Sequence, residues 1–347
     1  MMSPIPWITL FLILTVSLPA TAYDILQPLP EDDFAPEDNP QTAEKIELGK
    51  QLFFDPRLSY DGRIRCNDCH DLSGAGTASG RTPPARPRHE RDTPTLWNVA
   101  IQTVYFWDGR ATSLEGAIEE HLVDGRIMAF PTAAAVTRRL ATLPGYPERF
   151  QNVFGQPPEA KTAAMALAAF IRTLKTPDSP FDRYVKGDEN ALSPQAKRGL
   201  KLFDDLGCLS CHFGPNLAGP APGPAIRHGM GFYELFPNHP GTIYDALYGI
   251  ALDPGRERIT GEPGHRRLWR VPLLRNIALT APYFHNGSVD TLEEAIRVMA
   301  KTQLKEELSP QEVADIAAFL RSLTGKRPEI SLPRLPLGDG RTTPLSR

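Results

Sequence analysis

The apolar residues of this chain recur at helical spacing in two stretches, one in each half. The first is the alanine-rich PPEAKTAAMALAAFIRTLKTP, a helix that we expect Pro177 to end. The second is LSPQEVADIAAFLRSLTG, where Ser309 is the predicted N-cap, Pro310 the first helical residue and Glu312 the capping-box partner. Gly325 is expected to end this helix. The pattern therefore predicts one buried or amphipathic helix late in each half.

An internal repeat relates the two halves. Arg91–Ile118 and Trp269–Ile296 align without gaps and share 11 identities in 28 positions. Upstream of each copy lies a helix-like stretch with a related sequence, LGKQLFFD from Leu48 and RGLKLFDD from Arg198. The same order of elements occurs twice, which indicates a duplicated unit.

Length and composition are consistent with this organisation. A chain of 347 residues is long enough for two domains, each with its own core. Its 35 prolines are roughly twice the usual frequency of about 5%, which favours short helices and long ordered connections over a large sheet. The net charge of −3 gives no indication of a nucleic-acid partner.

The N-terminus has the features of an export signal. An apolar run from Trp7 to Leu18 is followed by Ala20-Thr21-Ala22, a small-x-small cleavage pattern, although no Lys or Arg precedes the run. The run is shorter than the about 20 residues that span a bilayer. We therefore expect residues 1–22 to be a signal peptide and the mature protein to be periplasmic, with a retained membrane anchor as the alternative.

All four cysteines lie in two CxxCH motifs, CNDCH and CLSCH. In this spacing two thiols can add to the vinyl groups of one haem, and the adjacent histidine can ligate its iron. The alternatives are disulfides or a four-cysteine zinc site, neither of which needs a histidine after each pair. The motifs predict two covalently bound haems c, held by Cys66, Cys69, His70, Cys208, Cys211 and His212.

The order helix, CxxCH, long loop, helix therefore occurs twice, and the predicted fold is mainly α with two cytochrome c-like domains. Polar and turn residues cluster at Thr176–Pro194, where we place the domain boundary. The predicted parts are an extension at 23–44, domains at 45–185 and 186–325, and a tail at 326–347. We expect the proline-rich tail to pack across the first domain.

A c-type haem can take a methionine, a histidine or no protein group as its sixth ligand, and methionine raises the reduction potential. Met299 follows the second repeat copy in polar surroundings and is a candidate, although an isolated methionine is more often part of a core. Met128 and Met230 are the other candidates. Met165 lies in the apolar stripe of a predicted helix.

The motifs LFFDPRLS, CNDCH, TPTLWN, FWDGRA, CLSCH, LRNIALTAPYFHNGS and VMAKTQL, in this order, resemble the bacterial di-haem cytochrome c peroxidases and their MauG-like relatives. The resemblance covers roughly residues 46–328. It implies an N-terminal haem that reacts with hydrogen peroxide and a C-terminal haem that receives electrons from a small cytochrome c or cupredoxin. Met299 would be the C-terminal sixth ligand, where the MauG branch has tyrosine, and Trp107 would connect the haems.

The same resemblance implies a calcium ion between the domains, bound by Asp92, where asparagine is usual, and by the backbone oxygens of Thr280 and Pro282. Homodimers are common in this family. His285, the repeat equivalent of Trp107, is expected to be structural or to face a haem propionate.

The chain departs from the family around the N-terminal haem. Ala117 and Ile127 occupy the positions of a distal glutamine and an acid–base glutamate, and Pro84 replaces a removable histidine ligand, with His89 five residues further on. Peroxide cleavage needs a proton-transfer group. The candidates are His121, Glu119, Glu120 and Asp124.

His121 is the repeat equivalent of Met299. As a free base with a pKa near about 6.5 it would shuttle the peroxide proton, which we favour; as a ligand it would close the iron. An ordinary residue at a helix end is the third interpretation.

The leading hypothesis is a di-haem peroxidase that reduces hydrogen peroxide to water. The alternatives are a MauG-like oxidase that modifies a partner protein and a two-haem electron carrier without enzymatic activity. The missing glutamate and glutamine favour the oxidase, whereas Met299 disfavours it.

Overall fold

The computed structural model describes residues 26–77, 91–222 and 230–336. The predicted signal peptide, Pro84 and His89 lie outside these ranges. Helices account for 44% of the structure and strands for 3%, which confirms a mainly α fold. Within the described ranges, no helix is both long and apolar enough to cross a membrane.

The first half contains six α-helices among the described residues: α1 (Ala43–Phe54), α2 (Cys66–Cys69), α3 (Leu114–Val123), α4 (Ala133–Thr142), α5 (Tyr146–Phe154) and α6 (Ala160–Arg172). The short α7 (Pro180–Val185) leads into the second half. There the described helices are α8 (Pro194–Asp205), α9 (Ile243–Tyr248), α10 (Glu257–Thr260), α11 (Leu292–Met299), a π-helix (Ala300–Leu304) and α12 (Pro310–Ser322). Strands β1 (Tyr233–Leu235) and β2 (Leu268–Arg270) pair antiparallel.

The helix starts agree better with the sequence than the helix ends do. Ser309 caps α12, Pro310 is its first residue and Glu312 completes the capping box, as predicted. The prediction that Gly325 ends this helix is wrong, because α12 ends at Ser322 with Leu323 as its C-cap. Likewise α6 ends at Arg172, with Thr173 as its C-cap, well before Pro177.

The two long helix pairs are built around the same close contact. Gly49 of α1 faces the carbonyl of Ala166 in α6, and Gly199 of α8 faces that of Asp315 in α12. A Cβ atom at either glycine would lie 1.8 Å from the opposing carbonyl oxygen. Only glycine permits this approach of two helix backbones. The duplication inferred from the sequence is therefore preserved in the packing.

Each half has its own hydrophobic core. The first lies between α1 and α6 and includes Leu52, Phe53 and Phe170, all buried. The second lies between α8 and α12 and includes Phe203 and Phe319. Elements outside these helices also reach the second core, since Leu26 from the N-terminal extension and Phe181 from α7 are buried there.

The two halves meet at a buried junction around Thr176. The side-chain amides of Asn98 and Asn276, which are repeat equivalents, each donate to the Thr176 hydroxyl oxygen at 2.8 Å. The side-chain Oδ1 of Asn98 accepts from the Thr176 backbone amide, and Oδ1 of Asn276 accepts from the Gly325 backbone amide. A Cβ at Gly325 would lie 1.8 Å from the Thr176 carbonyl oxygen, so close approach explains this glycine.

The tail packs across the first half, as expected. Over its described part, Arg327 donates to the carbonyls of Ser73 and Gly74. Lys50 of α1 donates to the Ser331 hydroxyl at 3.0 Å. These contacts connect the described part of the tail to α1 and to the residues that follow CNDCH.

Candidate functional site

A cavity of about 280 Å³ occupies the second half and extends toward the first. Its walls are mostly apolar, and Cys208, Cys211 and His212 of CLSCH lie on one side of it. Met299, the last residue of α11, also lines it. The π-helix directly after Met299 accommodates one extra residue per turn, a feature frequently found at functional sites.

The other methionine candidates are placed differently. Met128 is 3% exposed and lies in the first core, whereas Met230 is 55% exposed. Met165 is half-buried on α6. Of the methionines in the described ranges, Met299 alone combines a cavity position with the second CxxCH motif.

The two CxxCH histidines are oriented alike. Nδ1 of His212 lies 2.9 Å from the Leu217 carbonyl oxygen, and Nδ1 of His70 lies 3.4 Å from that of Gly76. A histidine that donates from Nδ1 presents its Nε2 lone pair, as metal-ligating histidines do. Burial lowers the pKa of His70 to about 4 and also lowers that of His212, so both rings are neutral.

His121 lies on α3 opposite His70. The centres of the two rings are 6.4 Å apart, and the ring planes are tilted by 53°. Nδ1 of His121 is 2.8 Å from the Ala117 carbonyl oxygen, so this ring also presents Nε2. Burial lowers the pKa of His121 from its ordinary value, which favours the uncharged ring.

Phe106 and Arg110 fix the orientation of this ring. Phe106 stacks on His121 with a centre-to-centre distance of 4.9 Å and an angle of 10°. The Arg110 guanidinium lies 3.5 Å from the centre of the Phe106 ring, on which it forms a cation–π contact. Asp108 and Glu120 in turn pair with Arg110. Phe106 and Arg110 were not identified from the sequence as site residues, although the FWDGR motif contains both.

The carboxylate candidates are less well placed for chemistry. Glu120 is paired with Arg110, and Asp124 with Arg126. Glu119 is half-buried and, together with Glu120, lines a separate pocket with Thr132 and Val136. His121 is the candidate that the structure brings together with His70.

Trp107 lies where the two halves meet. Its Nε1 donates to the Asp92 carbonyl at 2.8 Å, and its own carbonyl accepts from the Arg270 amide at 3.0 Å. The repeat produces the matching bond, because the Asp92 amide donates to the His285 carbonyl at 2.6 Å. Trp107 is half-buried and lines the cavity. It is not a member of either hydrophobic core.

His285 is buried and stacks on Trp269, with ring centres 4.2 Å apart. Its Nε2 atom is buried without a hydrogen-bond partner, and the residue lines the cavity. A buried unpaired nitrogen is costly unless a ligand group satisfies it. A polar group of a bound cofactor would satisfy this atom, whereas the stack on Trp269 fits the other expectation, a structural role.

The residues expected around calcium line the same cavity: Asp92, Thr280 and Pro282. Burial raises the pKa of the Asp92 carboxyl to about 7. Gly287 lies between two of these residues, since a Cβ there would be 3.2 Å from both the Asp92 carboxyl carbon and Pro282. A partly buried carboxylate of this kind is stabilised by a bound cation.

The cysteines and histidines of the two CxxCH motifs fit covalent haem better than a four-cysteine zinc site. Within the described ranges, no three His, Cys, Asp or Glu side chains gather so that they could hold a metal ion, and the four cysteines therefore do not form a zinc site. Instead each half has one CxxCH histidine with Nε2 available. The apolar cavity and the unpaired His285 nitrogen add to this fit.

The fold and these sites define a duplicated helical protein with one CxxCH motif in each half. Residues 43–190 match the model of the family described as di-haem cytochrome c peroxidase. The chain is 38% identical to cytochrome c551 peroxidase of Pseudomonas aeruginosa, over 92% of this chain and 90% of that protein. It is 34% identical to the methylamine utilization protein MauG of Methylorubrum extorquens, over 88% and 86%.

Among solved structures, the chain resembles a MauG-like protein associated with microbial copper homeostasis. The TM-score is 0.68 and the identity 28%, covering 86% of this chain and 93% of that one. The chain belongs to the di-haem cytochrome c peroxidase family. It is an oxidoreductase of the cytochrome c peroxidase type that acts on hydrogen peroxide with haem cofactors and an external electron donor.

Proposed function

We propose that the His70 site is where hydrogen peroxide reacts and that the site of His212 and Met299 receives the electrons. The supporting observation is the asymmetry between repeat equivalents, because a histidine faces His70 whereas a methionine lines the His212 cavity. When bound through Cys66, Cys69, Cys208 and Cys211, the covalent haems would supply peroxide-reactive iron and electron storage. One peroxide, two electrons and two protons give two waters.

His121 is the proposed proton-transfer group at the His70 site. It is neutral and presents Nε2, so it can accept a proton from one peroxide oxygen and return it to the other. Glu119 and Glu120 remain secondary candidates. Glu120 contributes by holding Arg110 in place beside Phe106.

Trp107 is the proposed electron path between the halves. Its indole hydrogen bond to Asp92 and its backbone bond from Arg270 hold it at the junction. Trp107→Phe keeps an aromatic ring but removes the indole N–H. We expect slower electron transfer between the haems and unchanged peroxide binding, measured by single-turnover kinetics. Unchanged transfer would exclude Trp107 from the path.

Met299 is the proposed sixth ligand of the C-terminal haem. A thioether ligand raises the reduction potential, so Met299→His should lower the potential of that haem while two haems per chain are retained. Met230→Ala is the matched control, because Met230 is exposed and should leave the potential unchanged. If the two variants had the same potential as the unmodified protein, Met299 would be a packing residue.

We also propose that Asp92, Thr280 and Pro282 bind calcium and that the protein acts in the periplasm. The position of Asp92 beside Pro282 and Gly287 supports the first statement. An aspartate in place of the usual asparagine adds a negative charge and should favour the cation. A homodimer is the oligomeric state that the resemblance to this family implies.

The proposed function is tested with purified holoprotein, hydrogen peroxide and a reduced small cytochrome c. Rapid oxidation of the cytochrome, two equivalents per peroxide, is the expected result. A persistent two-electron-oxidised protein that does not turn over with the donor would favour the MauG-like alternative. Absence of any reaction with peroxide would indicate an electron carrier.

A further inference from the structure

The spacing between His70 and His121 matches that of two ligands on one metal. Two imidazoles that coordinate a shared metal at about 2 Å from each nitrogen have ring centres about 6 Å apart. The observed separation is 6.4 Å. A metal ion bound by both imidazoles would therefore fit between the rings at this separation.

The hydrogen bonds also favour ligation. His70, His212 and His121 all place Nδ1 against a backbone carbonyl, at 3.4, 2.9 and 2.8 Å respectively. Two of these three are the CxxCH ligands. The third therefore has the tautomer and the support of a metal-binding histidine.

The ring of His121 is held from its other side as well. Phe106 stacks on it, and Arg110 covers Phe106 while paired with Asp108 and Glu120. An exposed histidine at a helix end needs no such support. The stack supports the His121 ring in a position next to His70.

The internal repeat gives an independent reason. His121 and Met299 occupy equivalent positions. Each lies on the helix that follows a turn beginning with Tyr-Phe, which we call the YF turn: Tyr105-Phe106 in the first copy and Tyr283-Phe284 in the second. Both YF turns contain the same isolated bridge, between Tyr105 and Ala111 in one copy and between Tyr283 and Val289 in the other.

We infer that His121, carried on the rigid helix α3, is the resting sixth ligand of the N-terminal haem iron. This rests on the proposed function, and it departs from the family pattern, in which the removable histidine lies in the loop after the first CxxCH. The ring must leave the iron before peroxide can bind on that side. The same imidazole, once displaced, is then adjacent to the peroxide as its base.

The experiment compares the spin state of the resting, fully oxidised holoprotein with that of His121→Ala, by electron paramagnetic resonance and visible spectroscopy. We expect two low-spin haems in the unmodified protein. One should become high-spin in the variant, with two covalent haems per chain retained. Added imidazole should restore the low-spin signal, because it can occupy the opened position.

His121→Met and His89→Ala complete the design. His121→Met should stay low-spin with the spectrum of a His/Met haem, which excludes a folding defect as the cause of the change. His89→Ala should have no effect; if it produced the high-spin signal instead, His89 would be the ligand and our inference would be wrong. A high-spin haem already present in the unmodified resting protein would also overturn it.

The ligand role of His121 and the proposed function can be refuted separately. Unchanged spin state with normal cytochrome turnover would refute the ligand role and leave the peroxidase function intact. A clear spin-state change in a protein that does not oxidise the cytochrome would support the ligand role and refute the proposed sites of peroxide reaction.

Discussion

Replacing His121 with alanine is expected to slow peroxide cleavage at the His70 site by about 10²–10⁴-fold, the usual contribution of a general acid–base group. Two effects oppose each other in this variant, since it opens the iron to peroxide and also removes the proton-transfer group. We expect the second to dominate the cleavage step, because Ala117 and Ile127, which the resemblance aligns with the family's distal glutamine and glutamate, cannot transfer a proton. Single-turnover stopped-flow measurements with excess peroxide separate binding from cleavage.

Glu119→Gln and Glu120→Gln are the comparison variants for this prediction. Glu119 faces a separate pocket, so its loss should change the cleavage rate by no more than a few-fold. Glu120→Gln should have a moderate effect through Arg110 and Phe106. If His121→Ala cleaved peroxide at the normal rate and a glutamine variant did not, the base would be the corresponding glutamate.

Gly199→Ala is expected to destabilise the second half by about 3 kcal/mol, at the upper end of the usual cost of overpacking. Alanine in a helix interior is by itself favourable by about 1 kcal/mol over glycine, so a loss can only come from the contact between helices. The added Cβ would lie 1.8 Å from the Asp315 carbonyl oxygen, and α8 would have to move away from α12. The free energy of unfolding from chemical denaturation measures this effect.

Gly49→Ala should have a similar effect on the first half, because the added Cβ would also lie 1.8 Å from the opposing carbonyl oxygen, that of Ala166. Gly264→Ala is the matched control, since a Cβ there meets no atom within 4 Å. Should both Gly49→Ala and Gly199→Ala be as stable as this control, the two close helix contacts would not be essential to the fold.

The sequence was sufficient for the architecture because the duplication repeats its strongest signals. The prediction of the capping box at Ser309 is confirmed, because this motif depends only on residues three positions apart. The prediction that Gly325 ends the helix is wrong, because Gly325 is required for a contact between distant segments. Its actual neighbour, Thr176, is distant in sequence, and a close approach of this kind is not visible in a local pattern.

The haem-binding CxxCH residues of the candidate site could be predicted from the sequence. The surroundings of His121 could be predicted less well. CxxCH places its ligands within five residues, so local sequence suffices. The pKa of His121 depends instead on burial, and its orientation on Phe106 and Arg110. The partners lie within the quoted FWDGR motif, but the stack requires the turn that brings this motif back onto α3.

The Thr176 junction constrains how the two halves can move. One hydroxyl oxygen accepts from an asparagine of each repeat, so separating the halves here would break the buried hydrogen bond from Asn276 to Thr176. This bond therefore opposes separation of the two halves at Thr176. Since the rate of electron tunnelling falls steeply with separation, a fixed contact of this kind would help to keep the distance between redox centres constant.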